Sequence, residues 1–276
     1  MKLAIAQVAP KLGDLQANLD RTRGLVQDAV SAGAMLVVFP ELSLSGYLSG
    51  DHDRHLALPA TDHRLAEAAS NAGGAAVLLC FPEMDDGVTY NSAALFTAGE
   101  LSHVHRKLIL PNYHPFTERE RFRSGNALRS FETPLGRAAV LLCEDVIQPA
   151  FATIAVHDGA EVLLVPANSA HSLLAGVSNR EHWHAITNFY ARLTQCFVVF
   201  ANRVGEEGPF RFWGGSRVLD PRGRIVAQAP QDKEELLLVD LDPEDVARQR
   251  RSVPFLCDAR LDILQQELDR IARARC

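Results

Sequence analysis

Cys143, Glu41 and Lys107 are residues of reactive type that lie far apart in the chain, the first two at the ends of apolar segments and the third at the end of a segment of alternating character that predicts a strand. Cys143 ends the run AAVLLC, Glu41 ends MLVVFPE and Lys107 ends SHVHRK. A thiol with the ordinary pKa of about 8.5 needs a base or a nearby cation to attack at neutral pH. Glu41 can supply the base and Lys107 the cation, without histidine or metal.

The chemistry that these three side chains favour is acyl transfer at a carbonyl carbon. A carboxylate at Glu41 could take the thiol proton and later hand it to a leaving amine. An ammonium at Lys107 would stabilise the oxyanion of a tetrahedral intermediate, helped by the backbone N–H that follows Cys143. For Cys143 alone the competing interpretation is a core thiol, because free cysteine packs like a small hydrophobe.

The elements that must position these residues are short apolar runs without alternation, each ending in a polar or charged residue. Runs of this kind predict strands that are covered on both faces. Five segments share the pattern, namely MLVVFPE (35–41), AAVLLCFPE (75–83), AAVLLCED (138–145), EVLLVPANS (161–169) and FVVFANR (197–203). Ligands of such sheets bind beyond the carboxyl ends of the strands, which is where Glu41 and Cys143 stand.

Helical patterns lie between several of these strands. Apolar residues recur at helical spacing over 18–32, and 62–72, 149–158 and 178–195 are alanine-rich or amphipathic. The second half adds the β-rich pieces GGSRVLDP, GRIVAQAP and ELLLVDLD, and a last amphipathic helix over 261–274. Buried strands with helices between them predict a layered α/β domain. Since no Pro-, Gly- or Ser-rich linker divides the sequence, we expect one domain over 1–276.

Three ordered blocks resemble those of the nitrilase, or carbon–nitrogen hydrolase, superfamily. They are FPELSLSGY, HRKLILPNY with FTERERFRSG, and LLCEDV, and two later segments, FANRVG and GGSRVLDPRGRIVAQA, extend the resemblance over nearly the whole chain. The resemblance implies a four-layer α-β-β-α sandwich with two face-to-face sheets and helices outside. It also implies that Glu41 is the general base, Lys107 the oxyanion-stabilising cation and Cys143 the nucleophile. A second glutamate usual in the family, which positions the substrate and the lysine, matches Glu118.

Within the superfamily, LPNYHPFTE and CED are most similar to the glutamine-hydrolysing domain of glutamine-dependent NAD synthetases. That group has a second, ATP-using domain marked by an SGGxDS-type phosphate loop, a motif that these 276 residues lack. The chain also departs from the group at His114-Pro115, where glycine and an apolar residue are usual, and at Ser124, where proline is usual. These departures put free-glutamine specificity and ammonia channelling in doubt, but not the hydrolase core.

Several assignments inside these blocks stay open. Glu120 is the alternative to Glu118 as the second glutamate. Both could instead belong to a run of solvated charges in TERER, without a role in the site. Tyr113 is expected to line the substrate pocket or to serve packing. Glu144 is expected to contribute its backbone N–H to the oxyanion. The aromatic segment 205–215 is either a substrate lid or a hairpin.

Two other motifs are expected to be structural. VLLCFPE (77–83) repeats the LLC and FPE patterns, but no SGY-like loop follows, so we interpret Cys80 as a core thiol and Glu83 as a strand-end surface acid. REHWH (180–184) resembles a metal motif only superficially. Histidines two residues apart point in different directions on a helix, so no metal site is predicted.

Composition narrows the class of protein. A formal net charge of −6 without a basic patch argues against partners such as nucleic acid or a membrane surface. The N-terminus turns polar too soon for a signal peptide, and no apolar run approaches membrane-spanning length. The five cysteines are scattered, odd in number and never in CxxC spacing, which indicates a reduced, cytoplasmic chain.

The predicted function is hydrolysis of a small carboxamide to a carboxylate and ammonia through a cysteine acyl-enzyme, without a cofactor. Alternatives are an N-carbamoyl amine or nitrile hydrolase, a stand-alone glutaminase that feeds a separate synthetase, and a non-enzymatic scaffold. Glu144-Asp145 lowers the nitrile option, since nitrile hydrolases of the family typically have Trp-Glu there. The resemblance also implies a homodimer or larger homo-oligomer, to which the apolar C-terminal helix (about 258–275) could contribute.

Overall fold

The computed structural model of the protein describes residues 1–48, 53–71, 73–113, 116–172 and 178–274. Its strands are β1 (Lys2–Gln7), β2 (Ala34–Val38), β3 (Ala76–Asp85), β4 (Val88–Thr97), β5 (Glu100–Arg106), β6 (Phe131–Thr133), β7 (Gly136–Val140), β8 (Val162–Ala167), β9 (Phe197–Asn202), β10 (Val204–Glu207), β11 (Phe210–Trp213), β12 (Arg217–Leu219), β13 (Ile225–Gln228) and β14 (Glu235–Asp240). Its helices are α1 (Leu15–Ser31), α2 (Asp53–Leu56), α3 (His63–Ala69), α4 (Glu118–Arg121), α5 (Pro149–His157), α6 (Asn179–Thr194), α7 (Glu244–Ser252) and α8 (Leu261–Ala274). Short 3-10 helices span Cys143–Ile147 and Phe255–Asp258.

Two six-stranded mixed sheets form the centre of the molecule. The first has the order β14-β1-β2-β3-β4-β5 and the second the order β13-β12-β9-β8-β7-β6. In each sheet three neighbouring strands are parallel, β1-β2-β3 and β7-β8-β9, and the flanking strands pair antiparallel. The chain segments that follow β2 and β7 therefore leave their sheets at carboxyl edges, where ligands of parallel sheets bind.

Three apolar layers hold the two sheets and their helices together. Successive residues of a strand face opposite sides, so Leu3 and Ile5 of β1 pack between the two sheets, whereas Ala4 and Ala6 pack toward α1 and α3. A third cluster packs the second sheet against α5 and α6, and Trp183 belongs to it. The predicted four-layer α-β-β-α arrangement is confirmed.

The long apolar runs all form strands near their predicted positions, but three strands escape the sequence patterns. β1, β4 and β6 were not predicted; β1 and β4 lie inside the first sheet and β6 at the edge of the second. β1 ends in Gln7, which is fully buried because its side-chain amide donates to the carbonyls of Pro230 and Lys233, at 2.7 Å each. A polar residue in a strand is tolerated inside when its hydrogen bonds are satisfied.

The last helix, α8, stands apart from this core. None of its side chains is buried, and its exposed apolar residues are Leu261, Ile263, Leu264, Leu268 and Ile271. Residue 275 of the predicted helix lies outside the described residues, and the predicted homo-oligomer stays a prediction. Among the described helices, none combines the length and the apolarity needed to span a bilayer.

Candidate active site

Glu41, Lys107 and Glu118 converge on one buried point although they come from three distant parts of the chain. The Lys107 Nζ lies 2.7 Å from Glu41 Oε1 and 2.8 Å from both carboxylate oxygens of Glu118. All three side chains are buried. Two carboxylates and one ammonium in such a site are far more strongly coupled than they would be in water.

The position of Lys107 follows from the backbone on both of its sides. It comes directly after β5, where its N–H donates to the Asn91 carbonyl at 2.8 Å and its own carbonyl accepts from Gly125 at 2.8 Å. A Cβ at residue 125 would lie 2.3 Å from the Arg106 carbonyl oxygen, so only glycine allows this close approach. The glycine of the F-x-E-x-x-x-F-x-x-G pattern therefore fixes the segment that carries the lysine.

Cys143 sits at a strained turn three residues after β7. It begins a short 3-10 helix with φ +46°, a left-handed conformation that costs a non-glycine residue about 1–3 kcal/mol. Its side chain is half-buried, so one side packs on the α5/α6 core while the other opens into a pocket. Backbone strain at such a position is a feature of functional sites, where it presents a side chain to a ligand.

Asp145 ties the Cys143 turn to the Lys107 segment. Its Oδ1 accepts the backbone N–H groups of Leu108 and Ile109, at 2.9 and 2.8 Å, and its Oδ2 accepts that of Leu142 at 3.1 Å. The buried His105 ring completes the cluster, with Nε2 3.0 Å from Asp145 Oδ2. One fully buried carboxylate thus holds the residues on both sides of Lys107 against the residue before Cys143.

The two oxygens of the Glu41 carboxylate differ in their hydrogen bonding to the described residues. Oε1 accepts from Lys107 and from the side-chain amide of Asn91, at 2.7 and 2.8 Å. Oε2 is buried and has no hydrogen-bond partner in the described part of the chain. A buried acceptor without a partner is costly, and functional sites are where such groups are retained to receive a proton or a ligand.

Tyr47 supports Glu118 from the opposite side. Its hydroxyl donates to Glu118 Oε1 at 2.9 Å, and the backbone N–H groups of Tyr47 and Leu48 donate to Glu207 Oε2 at 2.8 and 2.9 Å. Glu207 is itself paired with the buried Arg203. The segment 205–215 contains most of the β10–β11 hairpin. Through Glu207 this hairpin anchors the loop that follows Glu41.

Burial and neighbouring charges shift the pKa of several groups. Burial raises the pKa of the Cys143 thiol well above its ordinary value, Glu41 raises it further, and Lys107 opposes both. The thiol is therefore protonated at neutral pH and needs a base before it can attack. Burial would lower the pKa of Lys107, but Glu118 and Glu41 outweigh burial and raise it, so the amine is an ammonium. Burial also raises the pKa of Glu118 to about 7.

A cavity of about 460 Å³ has both polar and apolar side chains in its lining, and the fully buried Lys107 is not one of them. Cys143, Glu41 and Glu118 lie in its lining, together with the sequence-predicted Tyr113 and Glu144. The Tyr113 hydroxyl lies 3.5 Å from Glu144 Oε1, and burial raises the pKa of both side chains, that of Tyr113 to about 12. The volume suits a small molecule.

Of the two competing glutamates, only Glu118 reaches this site. Glu118 is buried against Lys107, whereas Glu120 is exposed on the same short helix α4. His182 of REHWH lines the cavity and His184 does not. In the described ranges no three His, Cys, Asp or Glu side chains cluster as metal ligands would. The His114-Pro115 pair lies outside the described residues.

The interpretation of Cys80 agrees with the structure, but that of Glu83 is wrong. Cys80 is fully buried in β3 between the two sheets. Glu83 is also buried, because Arg106 donates to both of its carboxylate oxygens, at 2.6 and 2.7 Å, and Ser92 donates at 2.7 Å. A carboxylate leaves the surface when an arginine fork and a hydroxyl satisfy it.

Sequence patterns missed other residues of the site. Asn168 and Ser169 line the cavity and end the run EVLLVPANS, so the rule that selected Glu41 and Cys143 could have found them. Asp145 stands inside the CED block, but its role was not predicted. Asn91 lies within the unpredicted strand β4, and no sequence signal marks it.

Comparison with known proteins places this architecture in a family. The profile of the family described as "Carbon-nitrogen hydrolase" matches residues 2–251. The chain is 29% identical over 272 residues to an omega-amidase of Danio rerio, which covers 95% of this chain and 96% of the relative. A carbon-nitrogen hydrolase from Helicobacter pylori has the same fold, with a TM-score of 0.84, 26% identity and coverage of 97% of this chain and 98% of that chain.

The resemblance to glutamine-dependent NAD synthetases is also confirmed. The synthetase of Thermotoga maritima is 30% identical over 254 residues, which are 90% of this chain and 43% of that protein. The chain therefore spans less than half the length of this relative. A family profile over almost the whole chain and a full-length structural match agree with each other. The chain belongs to the carbon-nitrogen hydrolase family.

Proposed function

We propose that the protein hydrolyses a small carboxamide, R–CO–NH₂, to a carboxylate and ammonia through a thioester on Cys143. The observation that carries this proposal is the state of Glu41. One of its oxygens is held by Lys107 and Asn91, and the other is buried without a hydrogen-bond partner among the described residues. Glu41 and Cys143 both line the cavity. This arrangement supports a general base with one acceptor kept for a reacting proton.

In the first half of the reaction, the Cys143 sulfur attacks the carbonyl carbon while its proton passes to Glu41. The raised thiol pKa makes this transfer necessary, because almost no thiolate exists at neutral pH before substrate binds. Negative charge develops on the carbonyl oxygen, where the Lys107 ammonium and the Glu144 N–H stabilise it. Glu41 then protonates the nitrogen, the C–N bond breaks and ammonia leaves.

In the second half, water replaces ammonia. Glu41 takes a proton from the water as its oxygen attacks the thioester carbon, and the same oxyanion donors act again. The C–S bond breaks, Glu41 returns the proton to the sulfur, and the carboxylic acid leaves. The net reaction consumes one amide and one water and gives one acid and one ammonia, so no cofactor is required.

The experiment that tests this proposal follows ammonia release from a panel of aliphatic amides, with the matching nitriles and N-carbamoyl amines as competitors. We expect release from one or more amides, and hydroxylamine should divert the acyl group to a hydroxamate because it intercepts a thioester. Mass spectrometry of the quenched enzyme should find the acyl group on Cys143. Ammonia release without a trappable acyl group on that residue would overturn the mechanism.

A second candidate is hydrolysis of free glutamine in the service of a separate synthetase. The similarity to the NAD synthetase of Thermotoga maritima favours it. Adding glutamine to the same panel distinguishes the candidates, because a glutaminase should prefer glutamine over simple aliphatic amides by its kcat/KM. Stimulation of that activity by an added ATP-dependent synthetase would identify the protein as an ammonia-supplying subunit.

A further inference from the structure

The helix that carries Glu118 also borders a second cavity, of about 550 Å³, which shares no lining residue with the candidate active site. Four guanidinium groups and two carboxylates lie in its lining, and we call it the arginine cavity, defined by Arg54, Arg119, Arg121, Arg123, Asp53 and Glu120. The lining therefore carries an excess of two positive charges in a chain whose formal net charge is −6. A concave site with this local excess attracts anions.

Three of the four arginines of this cavity form no ion pair with the described part of the chain, and the fourth, Arg121, is only partly satisfied. Arg121 pairs with Asp53 at 2.6 Å and donates from Nη1 to the Tyr47 carbonyl at 2.8 Å, but its buried Nη2 has no partner among the described residues. Arg54, Arg119 and Arg123 form no ion pair with any residue that the structure describes. Arg119 uses one donor on the Leu110 carbonyl, at 3.2 Å, and the remaining guanidinium donors of the four arginines around one cavity indicate an anionic ligand.

Backbone hydrogen bonds hold the main chain that carries Arg119 and Arg123, whose side chains are exposed. The Phe122 N–H donates to the Glu118 carbonyl at 2.8 Å, and the Arg123 N–H donates to the Thr89 carbonyl at 2.9 Å. Phe122 lies between Arg119 and Arg123 in sequence and is buried, so its ring anchors the segment that bears both arginines. Anchoring lowers the entropy that a ligand must remove on binding.

We propose that the arginine cavity binds a small molecule that carries a phosphate or diphosphate group. Arginine presents planar N–H pairs that match phosphate oxygens in bidentate fashion, and two unbalanced positive charges suit a dianion better than a single carboxylate. The volume falls in the range of small-molecule sites. Because the two cavities have no residue in common, this site is separate from the proposed amide chemistry.

The test is calorimetric titration with inorganic pyrophosphate, in buffer without divalent cations and at an ionic strength of about 0.15 M to screen non-specific attraction. We expect saturable binding of one pyrophosphate per chain. Arg119→Gln and Arg123→Gln should each weaken binding about tenfold, since each removes a charge-assisted donor. Both residues are exposed, so the variants should fold, and Arg129→Gln, an exposed arginine outside the cavity, should bind as the unaltered protein does.

A second control tests whether pyrophosphate binds instead at the candidate active site, near the ammonium of Lys107. Protein whose Cys143 has been blocked with iodoacetamide should bind pyrophosphate with unchanged affinity, because the blocked pocket is not involved. The proposal is overturned by any of three results: no saturable binding, equal binding by Arg119→Gln, Arg123→Gln and Arg129→Gln, or binding that disappears when Cys143 is blocked. Binding of a phosphoserine peptide in the absence of pyrophosphate binding would likewise overturn it.

Discussion

Arg106 and Lys107 are neighbours in sequence, yet they pair with glutamates of opposite character. Arg106 satisfies both oxygens of Glu83, and Ser92 adds a further hydrogen bond. Lys107 contacts only one oxygen of Glu41, and the other oxygen is left without a partner among the described residues. Both glutamates end an FPE sequence and both are buried. Full hydrogen bonding of the carboxylate therefore distinguishes the Arg106–Glu83 pair from the Lys107–Glu41 pair that is proposed to react.

The two LLC cysteines differ in the same sense. Cys80 lies inside the regular strand β3, where it packs in the apolar layer between the two sheets and its thiol donates to the Phe39 carbonyl at 3.6 Å. Cys143 lies beyond the end of β7, at a left-handed turn that opens on the cavity. A motif alone therefore does not identify a reactive residue, because the cysteine of one copy is enclosed by packing and that of the other borders a cavity.

Replacing each cysteine by alanine should give the sharpest contrast between the two regions. Cys143→Ala should lower kcat by about 10⁴-fold or more, since it removes the nucleophile that the whole mechanism uses. Cys80→Ala should keep kcat and lower the free energy of unfolding by about 1 kcal/mol, because it leaves a small cavity between the sheets. Ammonia release and urea denaturation measure the two effects, and comparable activity in the two variants would contradict the assignment.

The glutamates offer the next largest contrast. Glu41→Gln should lower kcat by about 10²- to 10⁴-fold, because an amide cannot accept the thiol proton. Glu83→Gln should leave kcat unchanged within a factor of about two and cost about 1–3 kcal/mol of stability, since the partly buried Arg106 loses a charged partner. Steady-state kinetics and denaturant titration separate these outcomes. If Glu83→Gln loses as much activity as Glu41→Gln, full hydrogen bonding of the carboxylate is not the deciding property.

The apolar runs predicted a layered α/β domain because their evidence is local, whereas the four-layer sandwich was implied by the family resemblance. Runs such as EVLLVPA are apolar on both faces, and only strands covered on both sides tolerate that composition. Glu41 and Cys143 could be selected as candidates for a related reason, since they are reactive residue types that stand where those runs end, and Lys107 ends the alternating segment SHVHRK. The relevant signal for each lies within a few residues of the chain.

The missed features depend on partners that are distant in sequence. Glu83 was expected at the surface because carboxylates are seldom buried, and the Arg106 that keeps it inside is 23 residues away. Asn91 reaches Glu41 across 50 residues, and Asp145 reaches the Lys107 segment across 37 residues. Neither residue type nor spacing shows such contacts, because the Glu83 and Glu41 contacts arise only when the strands of the first sheet assemble, and the Asp145 contacts only when the two sheets pack together.

Substitution of Asp145 tests whether the proposed reaction needs the hydrogen bonds that hold the Lys107 segment against the Cys143 turn. In Asp145→Asn, one side-chain oxygen can still accept the Leu108 and Ile109 N–H groups, but the new NH₂ group cannot accept from Leu142. We expect kcat to fall about 10- to 100-fold with little change in KM, because small displacements of a reacting group are costly. Iodoacetamide should also alkylate Cys143 at an altered rate, whereas a purely structural role would change only stability.

Asp158→Asn is the matched control for that prediction. Asp158 is likewise a loop-holding carboxylate, accepting the Ser130 N–H at 2.7 Å, but it lies outside the cavity lining. Its variant should lose stability without a change in kcat or in the alkylation rate. Equal kinetic losses in both variants would show that Asp145 has no special connection to the site.

The smallest expected effect concerns the shape of the pH profile rather than its height. Because burial raises the Glu118 pKa to about 7, this carboxyl takes up a proton as the pH falls through neutrality. Protonation removes one of the two negative charges beside Lys107, so kcat/KM of the unaltered enzyme should decline below about pH 7. Glu118→Gln cannot titrate and should lose this acidic limb, whatever its activity at the optimum. Glu120→Gln alters an exposed glutamate on the same helix and should keep the limb; a limb that persists unchanged in Glu118→Gln would assign the proton to another group.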